Sequence, residues 1–159
     1  MDIGRRLRST GGIGRRLEML KYFPIWIEHE IKCSVSNLMS LHWERQSVIA
    51  DFLRPGDDSH RLRVRFEPVH VIRVLDEMLV STEEPLPDEG HVADHFAYRV
   101  EGSRFWNSQS EALRLTHASA RHYLFVTGWA CLDVISSVQP EISVIRVAPS
   151  AIQNEGEAH

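Results

Sequence analysis

The sequence lacks the features that mark several protein classes. It has two cysteines among 159 residues, too few for a disulfide scaffold. No apolar run approaches the roughly 20 residues that a membrane-spanning helix needs. No glycine-rich phosphate-binding loop follows a predicted strand, and a formal net charge of −4 does not suit a protein that coats nucleic acid. We therefore predict a cytoplasmic protein that binds neither membranes nor nucleic acid.

What the sequence does contain is typical of one soluble globular domain. Apolar residues make up 43% of the chain and charged residues 25%, both ordinary fractions for a folded protein. A chain of this length buries roughly 70% of its unfolded surface, so it needs no metal or disulfide to form a core. We predict a single domain over residues 22–148, with a basic leader at residues 1–21 and a polar tail at residues 149–159.

The leader differs from the rest of the chain in charge. It carries six basic and two acidic residues, whereas the remainder carries 12 basic and 20 acidic residues. The pentapeptide IGRRL occurs at residues 3–7 and again at residues 13–17, and Gly11-Gly12 between the copies interrupts any continuous helix. Three interpretations stay open: a solvated tail, a translation start at Met19, or a segment that contacts an anionic surface.

Hydrophobic periodicity predicts a fold of the α+β class. Strict alternation of apolar and polar residues indicates strands at residues 25–36 and 61–66. Further strands are predicted at residues 69–75, 95–100, 123–126 and 142–147. Residues 69–75 are apolar on both faces, which predicts a central strand. Helical spacing of apolar residues predicts helices at residues 38–52, 111–115 and 129–137. The expected architecture is a mixed, mainly antiparallel sheet with two or three helices packed on one face and one parallel crossover near the C-terminus.

The same alternation predicts the core. The residues expected to be largely buried are Leu62, Val64, Phe66, Val71, Val74, Phe96, Tyr98, Leu124, Val126, Leu132, Ile135, Ile142 and Val144. Arg61, Arg63 and Arg65 fall on the opposite face of their strand and could bind phosphate. Like charges on one strand face are more typical of a solvated sheet edge that deters pairing with another strand, or of partners for the acidic loop.

Nine histidines include one cluster with the spacing of metal ligands. His91 and His95 are four residues apart with Asp94 between them, so on a helix both imidazoles could reach one zinc ion. A third ligand would come from His70, His117 or His122. Position 92 is Val, where zinc-hydrolase helices place a glutamate base. In a strand the two histidines would stand about 13 Å apart, and the alternative to a metal site is three solvated side chains in an acidic loop.

A buried His–Asp pair is the second chemical candidate. His122 and Asp133 could meet and act as a general base, but no activated serine or cysteine stands beside them in the sequence. Cys33 and Cys131 both fall on apolar faces, where thiols are usually inert. We therefore name no catalytic residue and no cofactor other than the zinc of the histidine cluster, and the balance favours a protein that is not an enzyme.

The four tryptophans allow two interpretations. Trp26 falls on the polar face of its predicted strand, Trp106 follows a predicted turn, and Trp43 and Trp129 complete the set. Exposed tryptophans are enriched at protein interfaces, since the indole ring supplies a large contact area at a small entropic cost. Alternatively, the tryptophans pack against helices that cover the second face of the sheet.

The most acidic segment is residues 76–94, which contain seven acidic residues and neither lysine nor arginine. The carboxylates predicted to face a partner are Glu83, Glu84, Asp88 and Glu89. Charge complementarity with a basic protein would raise its association rate and its specificity. We therefore predict a non-enzymatic interaction module with an acidic surface. The alternative is a metal-binding protein or a metal-dependent hydrolase that uses the histidine cluster. In size and acidity the chain is similar to small bacterial partners of toxins, without a shared motif.

Overall fold

The computed structural model describes residues 19–28, 31–76 and 87–148, which form ten strands and two short helices. The strands are β1 (Leu20–Pro24), β2 (Leu38–Glu44), β3 (Ser47–Leu53), β4 (His60–Phe66), β5 (Val71–Asp76), β6 (Asp88–Glu89), β7 (Ala97–Glu101), β8 (Arg121–Val126), β9 (Ala130–Ser136) and β10 (Glu141–Arg146). The helices are α1 (Arg104–Asn107) and α2 (Glu111–Thr116), and Cys33–Val35 forms a turn of 3-10 helix. The predicted tail and residues 1–18 of the predicted leader lie outside the described residues.

The strands are arranged in two sheets. Sheet A has the strand order β5-β9-β8-β7-β1-β6, and sheet B has the order β10-β4-β3-β2. Neighbouring strands are antiparallel except β1 and β6, which are parallel. In the described chain β2, β3 and β4 follow one another as hairpins, as do β8 and β9. Hairpins need only short turns, which explains how ten strands fit into these residues.

The two sheets pack face to face around one hydrophobic core. Leu62, Val64 and Phe66 alternate along β4 and are at most 1% exposed. Sheet A contributes Phe96, Ala97, Tyr123, Phe125, Leu132 and Val134 to the same cluster. The rings of Phe52 and Phe96, one from each side, meet edge to face with centroids 4.8 Å apart. Each large apolar side chain buried in this way contributes roughly 1.5–3 kcal/mol to stability.

The core prediction is confirmed in large part. The predicted core residues that are buried are Leu62, Val64, Phe66, Phe96, Tyr98, Leu132 and Ile135. Those that are half-buried are Val71, Leu124, Val126, Ile142 and Val144. Val74 is 45% exposed, because β5 is the edge strand of sheet A and an edge strand has a neighbour on one side only. Residues 69–75 were predicted as a central strand, and that position is wrong.

The α+β prediction is wrong, because the structure is mainly β and two of the three predicted helices are strands. Residues 38–52 form most of β2 and β3, which pair antiparallel across the turn at Arg45-Gln46. Arg45 has a φ of 54°, the left-handed backbone that a tight hairpin turn uses. Apolar residues in short runs fit both periods, and the β-branched Val48 and Ile49 favour the strand.

The other mistaken helix is β9. Residues 130–136 pair with β8 on one side and β5 on the other, so the predicted parallel crossover does not exist among the described strands. Every residue of β9 after Ala130 is buried, because the strand has neighbours on both edges and cover on both faces. A strand buried on both faces loses the alternation that identifies strands in a sequence, and its apolar spacing then resembles that of a helix.

Helix α1 covers part of the outer face of sheet A. Phe105 of α1 packs against Ala120 and Ile135 in a second, smaller cluster. The hydroxyls of Ser103 and Ser110 cap the two helices by accepting backbone hydrogen bonds, as serine commonly does at a helix N-terminus. The helices comprise four and six residues, and no helix in the described part of the chain is long and apolar enough to cross a membrane.

Candidate protein interface

Three chain segments meet at one end of the two-sheet structure, which we call the aromatic end. They are residues 25–28 after β1, residues 33–36 before β2, and residues 127–129 between β8 and β9. The backbone N–H of Gly128 donates to the Ser36 carbonyl at 3.3 Å. A Cβ at position 128 would lie 2.8 Å from the carbonyl oxygen of Ser34, closer than side chains tolerate, so this contact between the second and third segments requires glycine.

Asp94 holds residues 33–36 in place. Its carboxylate accepts hydrogen bonds from the Ser34 backbone N–H at 2.8 Å and from the Cys33 thiol at 3.2 Å. Its carbonyl accepts a bond from the Cys33 N–H at 3.1 Å. The hydrogen bonds from Ser34, and then the one from Cys33, lower the pKa of the Asp94 carboxyl below its ordinary value of 3.8. Asp94 is therefore ionised at neutral pH and adds a negative charge to the aromatic end.

Each of the three segments exposes one large apolar side chain. Trp26 is 71% exposed, Val35 is 52% exposed and Trp129 is 72% exposed. Single apolar residues on a surface are ordinary, but two tryptophans and a valine on three segments linked at one end of the molecule are not scattered. Tryptophan is the residue type most enriched among side chains that dominate binding energy at interfaces. This end of the molecule therefore carries the composition of a binding surface.

Trp26 lies against a buried histidine. The centroids of the Trp26 and His95 rings are 4.8 Å apart, and His95 Nε2 is 3.2 Å from the Ile25 carbonyl oxygen. Lys32 pairs with His95 in an isolated β-bridge, which places residues 31–36 beside Trp26. The chain of contacts from Trp26 through the 91–95 loop to Gly128 shows that the three apolar side chains belong to one end of the structure.

Carboxylates accompany these side chains. Glu28 is exposed and lies two residues after Trp26. Asp57 lies in the β3–β4 loop, which contacts residues 36–37 through the backbone of Leu53. Hydrogen bonds from His60, and then from Ser59, lower the pKa of Asp57 to about 2. Arg54 pairs with Asp57 at 3.1 Å and offsets its charge, so the negative character of the aromatic end comes mainly from Glu28 and Asp94.

The three predicted metal ligands make different contacts in the structure. His91 is exposed, and its ring lies 5.6 Å from that of Tyr22 and 5.8 Å from that of Tyr98. Asp94 is bonded to the 33–36 segment, and His95 is buried against Ile25 and Trp26. In residues 19–28, 31–76 and 87–148, no group of three or more His, Cys, Asp or Glu side chains could hold a metal ion. The zinc site stays a prediction that no observed geometry favours.

The predicted acidic surface is described only in part. Asp88 and Glu89 are exposed and form β6, at the edge of sheet A. Glu89 pairs with Lys21 of the neighbouring strand at 3.0 Å, which neutralises part of its charge. Glu83 and Glu84 lie outside the described residues. The role of these four carboxylates in partner binding stays a prediction.

The second chemical candidate does form a pair. His122 Nε2 lies 2.8 Å from Asp133 Oδ1, and both side chains are at most 5% exposed. Arg73 donates from Nε to the other carboxylate oxygen at 2.8 Å, and its guanidinium lies 4.4 Å from the centre of the Phe105 ring. Burial alone would raise the pKa of Asp133, but the bonds and charges of His122 and Arg73 outweigh burial and lower it below 3.8.

This buried network has no route to a substrate in the described structure. Phe105 of α1 lies edge-on to the imidazole of His122, with ring centroids 5.4 Å apart, and His122 is 4% exposed. His122 Nδ1 is buried without a hydrogen-bond partner among the described residues. A general base must reach the proton that it removes, so we assign the network to the stability of sheet A.

A histidine pair lies at the opposite end of the molecule. The rings of His70 and His117 stack with centroids 3.8 Å apart, and His70 Nε2 lies 2.6 Å from the Ser137 hydroxyl. Partial burial, and then the charge of His117, lower the pKa of His70 below 6.5. An activated serine needs a base that a third group orients. In the part of the chain that the structure describes, no carboxylate contacts His70, so Ser137 and His70 do not form a catalytic triad.

The arginine face of β4 is largely neutralised by neighbouring carboxylates. Arg63 donates two hydrogen bonds to Asp51, at 2.7 and 2.8 Å, and Arg65 pairs with Glu67 and Glu141. Arg61 bonds to backbone carbonyls. Strand β4 lies in the interior of sheet B, so its arginines do not protect a sheet edge. Because Arg63 and Arg65 are already paired with carboxylates, phosphate binding does not explain them either. The arginines serve as cross-strand partners.

Comparisons with known proteins identify no relative: no family model, no curated protein and no solved structure matches the chain. The aromatic end therefore stands on its own geometry. The sequence did contain one signal for it, the position of Trp26 on the polar face of an alternating segment. Val35 carried no such signal, because alternation placed it on the apolar face of the same predicted strand, where the structure instead has a 3-10 turn.

Proposed function

We propose that this protein is a non-enzymatic interaction module that binds a partner protein at the aromatic end. The observation that carries the proposal is the exposure of Trp26, Val35 and Trp129 on three segments at one end of the molecule. Residues 33–36 and 127–129 are bonded directly, and residues 25–28 are linked to them through the 91–95 loop. Burying such side chains against a partner removes a large apolar area from water, which is the main driving force of association.

The surface is held in shape before any partner arrives. Asp94 fixes residues 33–36 through three hydrogen bonds, and Thr127 fixes the β8–β9 turn by bonding to Trp129 and Ala130. A side chain on a rigid backbone loses little conformational entropy when it binds. Pre-organisation of this kind supports recognition rather than passive exposure.

The partner that suits this surface is basic. The exposed carboxylates of Glu28 and Asp94 accompany the apolar side chains, and Asp88 at the edge of sheet A is also exposed. Opposite charges steer association and exclude wrong partners. The proposal thus keeps the expected basic partner and assigns its main contacts to the aromatic end.

The test is site-specific crosslinking followed by a measured affinity. A photoreactive amino acid replaces Val35 in the full chain in living cells, and the captured protein is then purified and its Kd is measured by calorimetry. Trp129→Ala should weaken that Kd by about 30-fold, the size of an interface hot spot. The substitution removes an exposed side chain, so thermal unfolding should be nearly unchanged.

Trp43 provides the matched control. It is 51% exposed and lies beside the β2–β3 turn, at the other end of sheet B. Trp43→Ala should leave the affinity within twofold, and a photoreactive residue at position 43 should not capture the same protein. Equal capture from both positions, or equal losses of affinity for both alanine variants, would contradict the proposal.

A further inference from the structure

Residues 26–28 separate two cavities at the aromatic end. The first has a volume of about 280 Å³ and lies toward sheet B, where Leu62 and Val144 line it. The second has a volume of about 200 Å³ and lies toward sheet A, where Ile31 and Phe96 line it. Trp26, Ile27 and Glu28 border both cavities. The short segment is therefore a wall between a cavity of mixed polar and apolar lining and a second, mainly apolar cavity.

The wall combines an aromatic ring with a carboxylate. One neighbour of the Trp26 indole is the His95 ring, while 71% of the residue stays open to solvent. The face of an indole attracts cations. Glu28 is exposed, and no lysine or arginine among the described residues forms an ion pair with it. The other described residues that line the first cavity are uncharged, so Glu28 sets its charge.

These features exclude most kinds of side chain from the cavities. An aliphatic side chain would fill the apolar walls but would strip water from the Glu28 carboxylate without replacing its hydrogen bonds, which is costly. An anionic side chain would be repelled by Glu28. A cation on a long methylene stem suits both the apolar walls and the carboxylate. The stem contacts Ile27 and Leu62, while the charged head reaches the indole and the Glu28 carboxylate.

We propose that the Trp26–Glu28 wall receives an arginine side chain of the partner. A guanidinium stacks on an aromatic face and bonds a carboxylate through two parallel N–H groups, and it is more weakly hydrated than an ammonium. A lysine ammonium carries the same charge but has no planar group that can stack on the indole. The inference rests on the proposed function and names the partner's chemistry at one point of that surface.

The experiment uses n-butylguanidinium chloride, a mimic of an arginine side chain, titrated into the full ¹⁵N-labelled chain at constant ionic strength. The indole N–H resonance of Trp26 is assigned with Trp26→Phe. It should shift saturably at millimolar concentrations, and Glu28→Gln should weaken the binding about fivefold or more. Both substitutions alter exposed side chains, and thermal unfolding verifies that the variants are folded.

One control is a second tryptophan of the chain, and the other is an uncharged probe molecule. Trp43 is also followed by a carboxylate, that of Glu44, but Trp43 lines neither cavity. Its indole should shift little, and Glu44→Gln should leave the Trp26 titration unchanged. n-Butanol should bind Trp26 at least fivefold more weakly than the guanidinium.

The inference is overturned if the Trp26 resonance does not move, if n-butanol moves it equally, or if Glu28→Gln has no effect. Any of these results could occur while Val35 still captures a partner and Trp129→Ala still weakens its binding, in which case the proposed function stands without the arginine. Conversely, a Trp26 site for guanidinium without any captured partner would retain the inference as a binding site and remove the proposed function.

Discussion

A buried carboxylate is tolerated only where its partners are already in place, and Asp133 has two of them. The register of sheet A sets Arg73 directly opposite Asp133. On the other side, His122 is opposite Ile135, which makes it the diagonal neighbour of Asp133 at a separation that long side chains bridge. The sequence indicated the His122–Asp133 pair, but it gave no sign of Arg73, because strand register is set by pairing across the sheet.

We expect Asp133→Asn to lower the free energy of unfolding by about 3 kcal/mol, because the guanidinium of Arg73 loses the charge that compensates it in a largely buried site. Urea denaturation at neutral pH measures the change. Glu89→Gln is the control: it removes an ion pair whose side chains are 47% and 55% exposed, and exposed pairs contribute about 0–1 kcal/mol. Similar losses for the two variants would contradict this assignment.

The pH dependence of the free energy of unfolding provides a second test of the role of Asp133. The pKa of Asp133 in the folded protein lies below its ordinary value of 3.8, so its ionised form stabilises the folded state above that value. The stabilisation is lost as the pH falls through the lower, folded pKa. The stability difference between the wild type and Asp133→Asn should therefore be constant near neutral pH and shrink below about pH 4. A difference that grows in acid would contradict it.

At the scale of strands, the inner and outer faces of β4 show how one alternating sequence serves two purposes. Leu62, Val64 and Phe66 enter the core, while the arginines between them pair with carboxylates on neighbouring strands. A shift of one residue in register would exchange the two faces. The alternation thus specifies the register of β4, and the strand lies in the interior of sheet B, where that register matters most.

We expect Phe66→Ala to cost roughly 3–5 kcal/mol of stability, because it leaves a cavity between Tyr123 and Phe125 that the surrounding sheets fill only in part. Thermal and urea unfolding of purified protein measure the loss. Val74→Ala is the matched control, since Val74 was expected in the core but is 45% exposed; its cost should stay below about 0.5 kcal/mol. A Phe66→Ala protein as stable as Val74→Ala would show that β4 is misplaced.

At the scale of the whole molecule, the two sheets are joined at the aromatic end by a close backbone contact. Gly128 belongs to the β8–β9 turn of sheet A, and residues 33–36 lead into β2 of sheet B. The turn and this segment approach so closely that a Cβ at position 128 would lie 2.8 Å from the Ser34 carbonyl oxygen. The proposed binding surface therefore depends on how the sheets meet.

We expect Gly128→Ala to cost about 1–3 kcal/mol, the usual range for a group forced into a packed site, and to displace residues 34–36. Urea unfolding gives the cost, and amide chemical shifts of residues 34–36 report the displacement. Gly56→Asn is the control, because a Cβ there meets no atom within 4 Å and asparagine tolerates the positive φ of 78° better than most residues. Unchanged stability in Gly128→Ala would show that the contact is loose.

The sequence by itself determined several strands with one buried face and part of the core. Alternation over residues 61–66 identified β4, and Phe96 and Tyr98 are buried as expected. At β8 the sequence placed Leu124 and Val126 inside, but both are half-buried, whereas Tyr123 and Phe125 enter the core. These features are local, since period-two spacing acts within a single strand. The same local signal failed at β9, which is buried on both faces, and at β2 and β3, whose short apolar runs also fit a helix. It also failed at residues 25–36, where strict alternation predicted a strand but Cys33–Val35 form a 3-10 turn.

Only the tertiary structure decided the pairing of strands, the partners of Asp133 and the exposure of Trp26 and Trp129. Each depends on contacts between residues far apart in the chain: β5 pairs with β9 across about 60 residues, and Asp94 bonds to Ser34 across 60. Whether a tryptophan side chain is exposed or buried depends on which residues from other segments pack against it. The proposed binding surface consists of three separate segments, and no periodicity within one segment encodes how they meet.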